Sequence, residues 1–128
     1  EIKFRAWDTV NNVMIAPHSV VLTAKERGIQ YSECWQSGEY ICDDVLMQFT
    51  GLLDKNDTEI YEGDLLRYIN DATGKFLWRV DFRDGCFVRS IIVGYTTIKV
   101  LKDDPKQFEV IGNIYENPEL TEGEKEEN

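Results

Sequence analysis

Apolar and polar residues alternate with a period of two along much of this chain, which is the pattern of half-buried β-strands rather than of helices. The clearest run covers residues 76–83, with apolar residues at 76, 78, 80 and 82 and charged residues at 79, 81 and 83. The dipeptide Asp84-Gly85 separates it from a second apolar run, a position in which aspartate–glycine favours a tight hairpin turn. We therefore predict a β-hairpin with Trp78 and Phe82 buried and the two arginines of the run exposed.

Shorter alternating or apolar runs predict further strands. They cover residues 2–6, 45–49 and 108–115, and residues 60–69 form one continuous run after a polar turn at 54–58. About ten short strands without a long amphipathic helix predict an all-β fold, closed as a small barrel or packed as a sandwich. Asn117-Pro118 ends the last run, so we predict a single all-β domain over residues 1–118.

The composition of the C-terminal end differs from that of the rest of the chain. The chain has 128 residues, 42% of them hydrophobic, which is enough for one globular core. The last thirteen residues carry six glutamates and one lysine, and no apolar residue follows Leu120. A segment without apolar residues cannot offset the entropy that it loses on ordering. We therefore predict that residues 119–128 form a flexible acidic tail.

Charge is uneven in the rest of the chain as well. The formal net charge is −10, which excludes nucleic-acid binding through overall attraction but leaves room for a local cationic patch. Residues 39–64 carry eight acidic residues and one lysine, whereas residues 65–102 carry seven basic and three acidic residues. Blocks of opposite charge can pair within one molecule or between copies of it, and the sequence leaves both arrangements open.

The sequence gives little support for a disulfide framework, a metal site or a membrane-spanning segment. The cysteines Cys34, Cys42 and Cys86 are odd in number and form no C-x-x-C pair, unlike a disulfide framework or a zinc ribbon. The single histidine, His18, lies beside Pro17 in a polar segment without the other members of a catalytic triad. No apolar run reaches the roughly 18 residues of a membrane span. We predict reduced thiols in a cytoplasmic protein without metal or cofactor.

Three ordered segments resemble a known family. They are Lys3 to Asp8, Gln48 to Asp64 and Val110 to Leu120, and they include K-F-R-A-W-D, Q-F-T-G-L-L-D and V-I-G-N-I-Y-E-N-P. In this order they resemble the YopX family of phage and prophage proteins over residues 3–120. The resemblance implies an SH3-type β-barrel with additional strands and hairpins, found in the bacterial cytoplasm, with no assigned biochemical activity. Such a fold hosts many different functions.

The residues that carry the resemblance also suit turns and core positions. Glycine permits bends, aspartate and asparagine bond local backbone amides, and aromatic rings cover a core. The family-motif residues, which we interpret as mainly structural, are Trp7, Asp8, Gly51, Glu62, Gly63, Asp64, Gly112, Asn113, Tyr115 and Pro118.

Two hypotheses about function come from different classes. The first is a non-enzymatic phage accessory module that binds a phage or host protein or its own copies. The second is a nucleic-acid-binding barrel that combines aromatic residues with a basic surface made of Arg67, Lys75, Arg79, Arg83 and Arg89. Strand parity favours the first, because the aromatic residues of the run 76–83 share one face and its arginines share the other.

Catalysis has one candidate cluster in this sequence. The acids Glu59, Glu62 and Asp64 are close together and are the residue type that performs acid–base chemistry. No histidine, lysine or metal motif accompanies them, so we expect no enzyme.

Overall fold

The computed structural model describes residues 2–20, 23–25, 28–30, 35–36, 39–40, 45–73, 76–92, 98–101 and 105–121. These residues form β-strands and short 3-10 turns without an α-helix, which confirms the all-β prediction. The SH3-type closure stays a prediction. Within the same residues, no helix has the length and apolar character needed to cross a membrane. The chain divides into two compact units, residues 2–48 and the residues from 49 onward.

The first unit is built from short antiparallel strands. They are β1 (Phe4–Asp8), β2 (Val13–Ile15), β3 (Thr23–Lys25), β4 (Gly28–Gln30), β5 (Trp35–Gln36), β6 (Glu39–Tyr40) and the beginning of β7 (Val45–Leu53). Strand β1 lies between β2 and β7, while β3 pairs with β4 and β5 pairs with β6. The buried side chains of Ala6 and Ile15 form a small core, against which Val20 and Leu46 pack.

The second unit contains a five-stranded antiparallel sheet. Its further strands are β8 (Glu59–Tyr61), β9 (Asp64–Tyr68), β10 (Leu77–Arg83), β11 (Cys86–Ile91), β12 (Ile98–Val100) and β13 (Phe108–Asn113). The sheet has the order β12-β11-β10-β9-β13, and the end of β7 pairs with β8. Its core consists of Ile60, Leu66, Val80, Leu101 and Phe108, each at most 1% exposed.

The two faces of this sheet differ in character. Residues that oppose each other across antiparallel strands lie on the same face, so the register assigns each side chain. The core face carries Leu66, Tyr68, Trp78, Val80, Arg89, Lys99 and Phe108. The charged face carries Arg67, Arg79, Asp81, Arg83 and Glu109. Alternation along the strands thus places some cations beside the core and others opposite it.

The predicted hairpin at Asp84-Gly85 is confirmed. Strands β10 and β11 pair up to Arg83 and Cys86, and the two turn residues have φ angles of 51° and 83°, as the tight hairpin turn requires. The prediction that Phe82 is buried is wrong, because 46% of it is exposed. Strand β9 covers β10 only between Leu77 and Arg79, so the tip of the hairpin extends beyond its neighbour. Trp78, within the covered part, is half-buried.

The prediction of one continuous strand over residues 60–69 is also wrong. The segment holds two strands, β8 and β9, joined by a turn at Glu62-Gly63. Gly63 has a φ angle of 85°, which residues with a Cβ atom rarely adopt. Its N–H donates to the Val80 carbonyl at 2.8 Å, and its carbonyl accepts from the Ile114 N–H at 2.9 Å. The glycine therefore ties the turn to two other parts of the unit.

The C-terminal end contains one further turn. Residues Pro118–Thr121 form a 3-10 turn, preceded by a hydrogen bond from the Asn117 N–H to the Asn113 carbonyl. Residues 122–128 lie outside the described residues. The domain boundary at residue 118 and the acidic tail over residues 119–128 therefore stay predictions.

Candidate functional site

A cavity of about 440 Å³ opens beside the core face of the second unit. Its aromatic lining consists of Tyr68, Phe76, Trp78 and Phe108, and its polar lining of Asp71, Arg89, Lys99 and Gln107. We call this cavity the Trp78 pocket. Strands β9 to β13 supply five of these residues, and the neighbouring loops and the 3-10 turn Pro105–Gln107 supply the others. Aromatic walls with a few polar groups are typical of binding sites.

Arg89 is a cation at an inward-facing position of strand β11. Only 8% of the residue is exposed. Its guanidinium carbon lies 4.3 Å from the centroid of the Trp78 ring and 4.6 Å from that of the Phe108 ring. Aromatic faces attract cations, and this attraction offsets part of the cost of removing the charge from water. The two rings therefore hold the guanidinium in a fixed place within the pocket.

A second cation lies next to Arg89. Lys99 of β12 directly opposes it across the strand pair and is exposed at the pocket. The acidic residue of the pocket, Asp71, accepts hydrogen bonds from the N–H groups of Thr73 and Phe76, at 3.1 and 3.0 Å. Asp71 thus shapes the loop that carries Phe76. The charged lining residues sum to a net positive charge.

Arg67, one of the cations of the predicted basic surface, lies on the charged face beside an acid. Its Nη2 atom is 2.9 Å from Oε1 of Glu109, and Nζ of Lys55 is 3.5 Å from Oε2 of the same carboxylate. The hydrogen bond from the Asn56 side chain, followed by the charge of Lys55, holds the pKa of Glu109 below its usual value. The Glu109 carboxylate therefore interacts with three side chains on the charged face, those of Arg67, Lys55 and Asn56.

The remaining arginines of the charged face share another acid. Arg79 and Arg83 lie 3.2 and 3.6 Å from the carboxylate oxygens of Asp81. Lys75 lies outside the described residues. The structure thus separates the predicted basic surface by strand parity, because Arg89 lies on the core face and the other described members lie on the charged face.

Several family-motif residues accept hydrogen bonds from the backbone at turns. Asp8 accepts from the N–H groups of Val10 and Asn11, and the bond from the Asn11 side chain holds the pKa of Asp8 below its usual value. Asp64 accepts from the Tyr61 N–H at 2.8 Å. Asn113 accepts from the N–H groups of the two residues at 115 and 116. These side chains fix the turns that join strands.

The other motif residues have packing or steric roles. Gly112 lies so close to Asn117 that an added Cβ atom would meet its Oδ1 atom at 2.5 Å. Gly51 lies where the register between β7 and β8 shifts. Trp7 is buried, and Pro118 begins the last 3-10 turn. Glu62 and Tyr115 are half-buried.

A model of the YopX protein family matches residues 3–122. The chain belongs to the YopX family. The resemblance carried by the three segments is therefore confirmed.

A solved structure resembles this YopX chain over almost its full length. It is the crystal structure of protein EF1440 from Enterococcus faecalis, with 27% sequence identity and a TM-score of 0.59. The match covers 94% of this chain and 98% of that chain. No curated protein matches the sequence.

Asp54 is a buried residue of the YopX chain that the sequence does not single out. It is fully buried, and its Oδ1 atom accepts from the N–H groups of Asn56 and Thr58 at 2.8 and 2.9 Å. Its Oδ2 atom accepts from the Val110 N–H at 2.8 Å, which joins the β7–β8 turn to β13. An aspartate at the start of a polar turn is the one local signal for this role.

The sequence also misses Lys99, Gln107 and Phe108 as members of the Trp78 pocket. Strand β11 contains a signal for the pocket. Arg89 is two residues from Phe87 and two from Ile91, so it lies on the same face of the strand as these apolar residues. A charged residue at an inward position of a strand is unusual and points to a specific environment. The partners from other strands have no local signal, since the register alone brings them together.

The structure brings no further reactive cluster together among the residues that it describes. Within them, no group of three or more His, Cys, Asp or Glu side chains is placed to hold a metal ion. Cys86 is a free thiol, whereas Cys34 and Cys42 lie outside the described residues. His18 is exposed in the 3-10 turn Pro17–Ser19.

Proposed function

We propose that this YopX chain is a non-enzymatic protein-binding module that contacts its partner at the Trp78 pocket. The observation that carries the proposal is Arg89, a cation held between two aromatic rings on the core face. Charged residues are seldom buried, so a guanidinium between two rings at the wall of a pocket indicates a specific environment rather than ordinary core packing. The proposal that it is a phage or prophage accessory protein in the bacterial cytoplasm rests on the family alone.

A partner other than a second copy fits the distribution of charge. The acidic block 39–64 contains Asp54 and Asp64, which are at most 1% exposed and bond backbone amides. Within the basic block 65–102, Arg67, Arg79 and Arg83 already lie beside carboxylates of their own chain. Less charge is therefore available for mutual attraction between copies than the sequence suggests.

Binding of nucleic acid has less support than binding of protein. A single-stranded nucleic acid needs cations along its backbone next to aromatic platforms for its bases. Here the arginines of the charged face lie opposite the aromatic residues of the Trp78 pocket. The net charge of −10 also opposes the approach of a polyanion.

Two members of the acidic cluster considered for catalysis have contacts that support a structural role. Asp64 is 1% exposed and accepts a hydrogen bond from the Tyr61 N–H. Glu59 accepts a hydrogen bond from the Tyr61 hydroxyl at 3.2 Å. A general acid or base must reach a substrate, whereas Asp64 is enclosed and engaged by its own turn. The proposal therefore assigns no reaction to this cluster.

The test is affinity capture from infected or lysogenic host cells with a matched pair of variants. Lys99→Glu reverses a charge at the Trp78 pocket, whereas Lys55→Glu reverses one on the charged face. We expect a partner, identified by mass spectrometry, that the wild type and Lys55→Glu retain and Lys99→Glu loses, with all three proteins showing the same circular dichroism. Equal retention by Lys99→Glu would overturn the proposed site, and loss of the partner on nuclease treatment would favour nucleic acid.

A further inference from the structure

We infer that strand β12 is a docking edge, which binds an extended segment of a partner protein as an added antiparallel strand. The inference deepens the proposed function and rests on it, since Lys99 of β12 also lines the Trp78 pocket. Strand β12 ends the five-stranded sheet, and all three of its residues are exposed. An exposed edge is a template for a further strand, because its outward N–H and C=O groups can form a new ladder.

The ladder bonds of the sheet show which backbone groups of β12 point outward. The N–H of Ile92, directly after β11, donates to a β10 carbonyl at 2.9 Å. Because successive residues of a strand direct their backbone groups to opposite sides, Arg89, three positions earlier, bonds to the other neighbour, β12. Its partner there is Lys99, so Lys99 in turn directs its groups towards β11. The N–H and C=O groups of Ile98 and Val100 therefore point away from the sheet.

The opposite edge of the same sheet, β13, is covered by the chain itself. The Phe108 carbonyl accepts from the Lys55 N–H at 3.0 Å, and the Val110 N–H donates to Oδ2 of Asp54 at 2.8 Å. Both partners belong to the turn that follows β7. Among the hydrogen bonds of the described residues, none reaches the outward groups of β12. One edge of the sheet is thus closed, and the other can accept a strand.

The side chains of β12 define the segment that fits this edge. Lys99 lies on the core face, whereas Ile98 and Val100 lie on the charged face and are 44% and 39% exposed. The ion pairs within the described residues do not include Lys99. Directly opposite residues of two strands share a face, so the added strand meets Lys99 with one side chain and the apolar pair with the two flanking ones. An acidic residue between two large apolar residues matches this order in charge and in apolar area.

A second copy of this chain fits the docking edge less well than such a segment. Antiparallel pairing of two β12 strands over all three residues would place the two copies of Lys99 directly opposite each other. They would form a non-hydrogen-bonded pair, in which the Cα atoms approach to about 4.5 Å, so the like charges would repel. The same lysine attracts an acidic side chain at that position. Lys99 therefore favours a partner strand of opposite charge over a copy of its own.

The test uses pentapeptide probes of the full chain, followed by NMR of the backbone amides at 98, 99 and 100. With acetyl-Gly-Ile-Glu-Val-Gly-amide, we expect the amides at 98 and 100 to shift and to exchange more slowly with solvent, because they gain hydrogen bonds. The amide at 99 already belongs to the ladder with β11, so its exchange should change least. The charge-reversed probe acetyl-Gly-Ile-Lys-Val-Gly-amide should bind about three- to tenfold more weakly.

Backbone methylation of the glutamate probe distinguishes strand addition from side-chain contact alone. In the added strand, the N–H groups of its isoleucine and valine point towards β12, whereas that of its glutamate points away. We expect N-methylation of the valine to weaken binding about tenfold and N-methylation of the glutamate to leave it nearly unchanged. Equal affinity of the two methylated probes overturns strand addition.

Three variants assign the binding to β12. Val100→Pro removes an outward N–H and keeps the ladder bonds to β11, as proline does at a sheet edge. We expect it to lose the glutamate probe. Lys99→Glu should prefer the lysine probe, whereas Lys55→Glu, on the charged face, should keep the wild-type preference. Circular dichroism checks that the variants fold, and the methylated probes test the unmodified chain if Val100→Pro does not.

The outcomes separate this inference from the proposed function. No shift with either probe, or equal binding of the glutamate and lysine probes, overturns the assignment of the docking edge. A captured partner that Lys99→Glu loses and Val100→Pro retains would overturn strand addition and still support binding at the Trp78 pocket. A dimer in light scattering that Val100→Pro abolishes would show that a second copy takes this edge, which overturns the assigned partner.

Discussion

The two faces of the five-stranded sheet both carry arginines, but they surround them differently. On the charged face, Arg67, Arg79 and Arg83 lie within 2.9 to 3.6 Å of carboxylates, and their side chains stay 39 to 49% exposed. On the core face, Arg89 is 8% exposed, lies between two rings and opposes Lys99. Local structure explains the cations of the charged face. The cation of the core face is instead surrounded by aromatic rings and lines the Trp78 pocket, so arginines of one sheet have two different environments according to strand parity.

The largest expected effect comes from removing the Phe108 ring, which packs in the core of the second unit and also lines the Trp78 pocket. Phe108 is 1% exposed and lies with its centroid 5.3 Å from that of Tyr68 and 6.3 Å from that of Trp78. We expect Phe108→Ala to lower the free energy of unfolding by about 3–5 kcal/mol, measured by chemical denaturation. Phe82→Ala is the control, because Phe82 is 46% exposed on the same face. Equal losses in the two variants would contradict the burial difference.

The next effect concerns the end of the charged face, where the register of β13 shifts between Val110 and Gly112. An alanine Cβ atom at 112 would meet the Asn117 side chain, whose Oδ1 atom accepts from the Asn113 N–H at 3.1 Å. We expect Gly112→Ala to lower the free energy of unfolding by about 1–3 kcal/mol through this crowding. In an Asn117→Ala background the same change should cost clearly less. Additive losses in the double variant would show that the crowding lies elsewhere.

The fold could be predicted where local chemistry decides it. The alternation over residues 76–83 and the dipeptide Asp84-Gly85 predict the hairpin, and three motif segments predict the family. At Glu62-Gly63 the sequence favours two different structures, because Gly63-Asp64 is typical of a bend, whereas the apolar residues on both sides of it also suit one continuous strand. Only the pairing of β9 with β10 and β13 shows that the chain bends there. The exposure of Phe82 likewise depends on where β9 ends, which its own neighbours in sequence do not reveal.

The candidate site could be predicted only in part. Arg89 and the aromatic residues at 68, 76 and 78 are visible as a basic and aromatic segment. The sequence groups Arg89 with Arg79 and Arg83, yet strand pairing separates them onto opposite faces. Lys99 and Phe108 join the pocket from strands whose register depends on long-range pairing. Such partners are set by the global fold, and no local pattern encodes them.

A smaller effect should have opposite signs on the two faces. Removing a cation is expected to raise the free energy of unfolding on the core face and to lower it on the charged face. Lys99→Met removes the repulsion with Arg89, so we expect the free energy of unfolding to rise by about 0.2–1 kcal/mol. Arg67→Met removes an exposed ion pair with Glu109, so we expect a fall of about 0–1 kcal/mol. Chemical denaturation of both variants at low salt measures the contrast. A loss of stability in Lys99→Met would mean that the opposed cations do not strain the sheet.

The smallest effect concerns Glu109 on the charged face, whose contribution to stability is expected to change only at acidic pH. Its folded-state pKa is lowered from 4.5, first by the Asn56 side chain and then by the charge of Lys55. A carboxyl whose pKa is lower when folded stabilises the protein above the unfolded pKa, and this contribution disappears as the pH falls through the folded pKa. Glu109→Gln should therefore melt below the wild type near neutral pH, and the gap should close below the usual pKa of 4.5. Asn56→Ala, which removes the largest cause of the shift, should show a reduced form of the same dependence. Thermal melts from about pH 7 to about pH 3 measure both variants, and a gap that stays constant over this range would show that Glu109 acts through packing rather than through its charge.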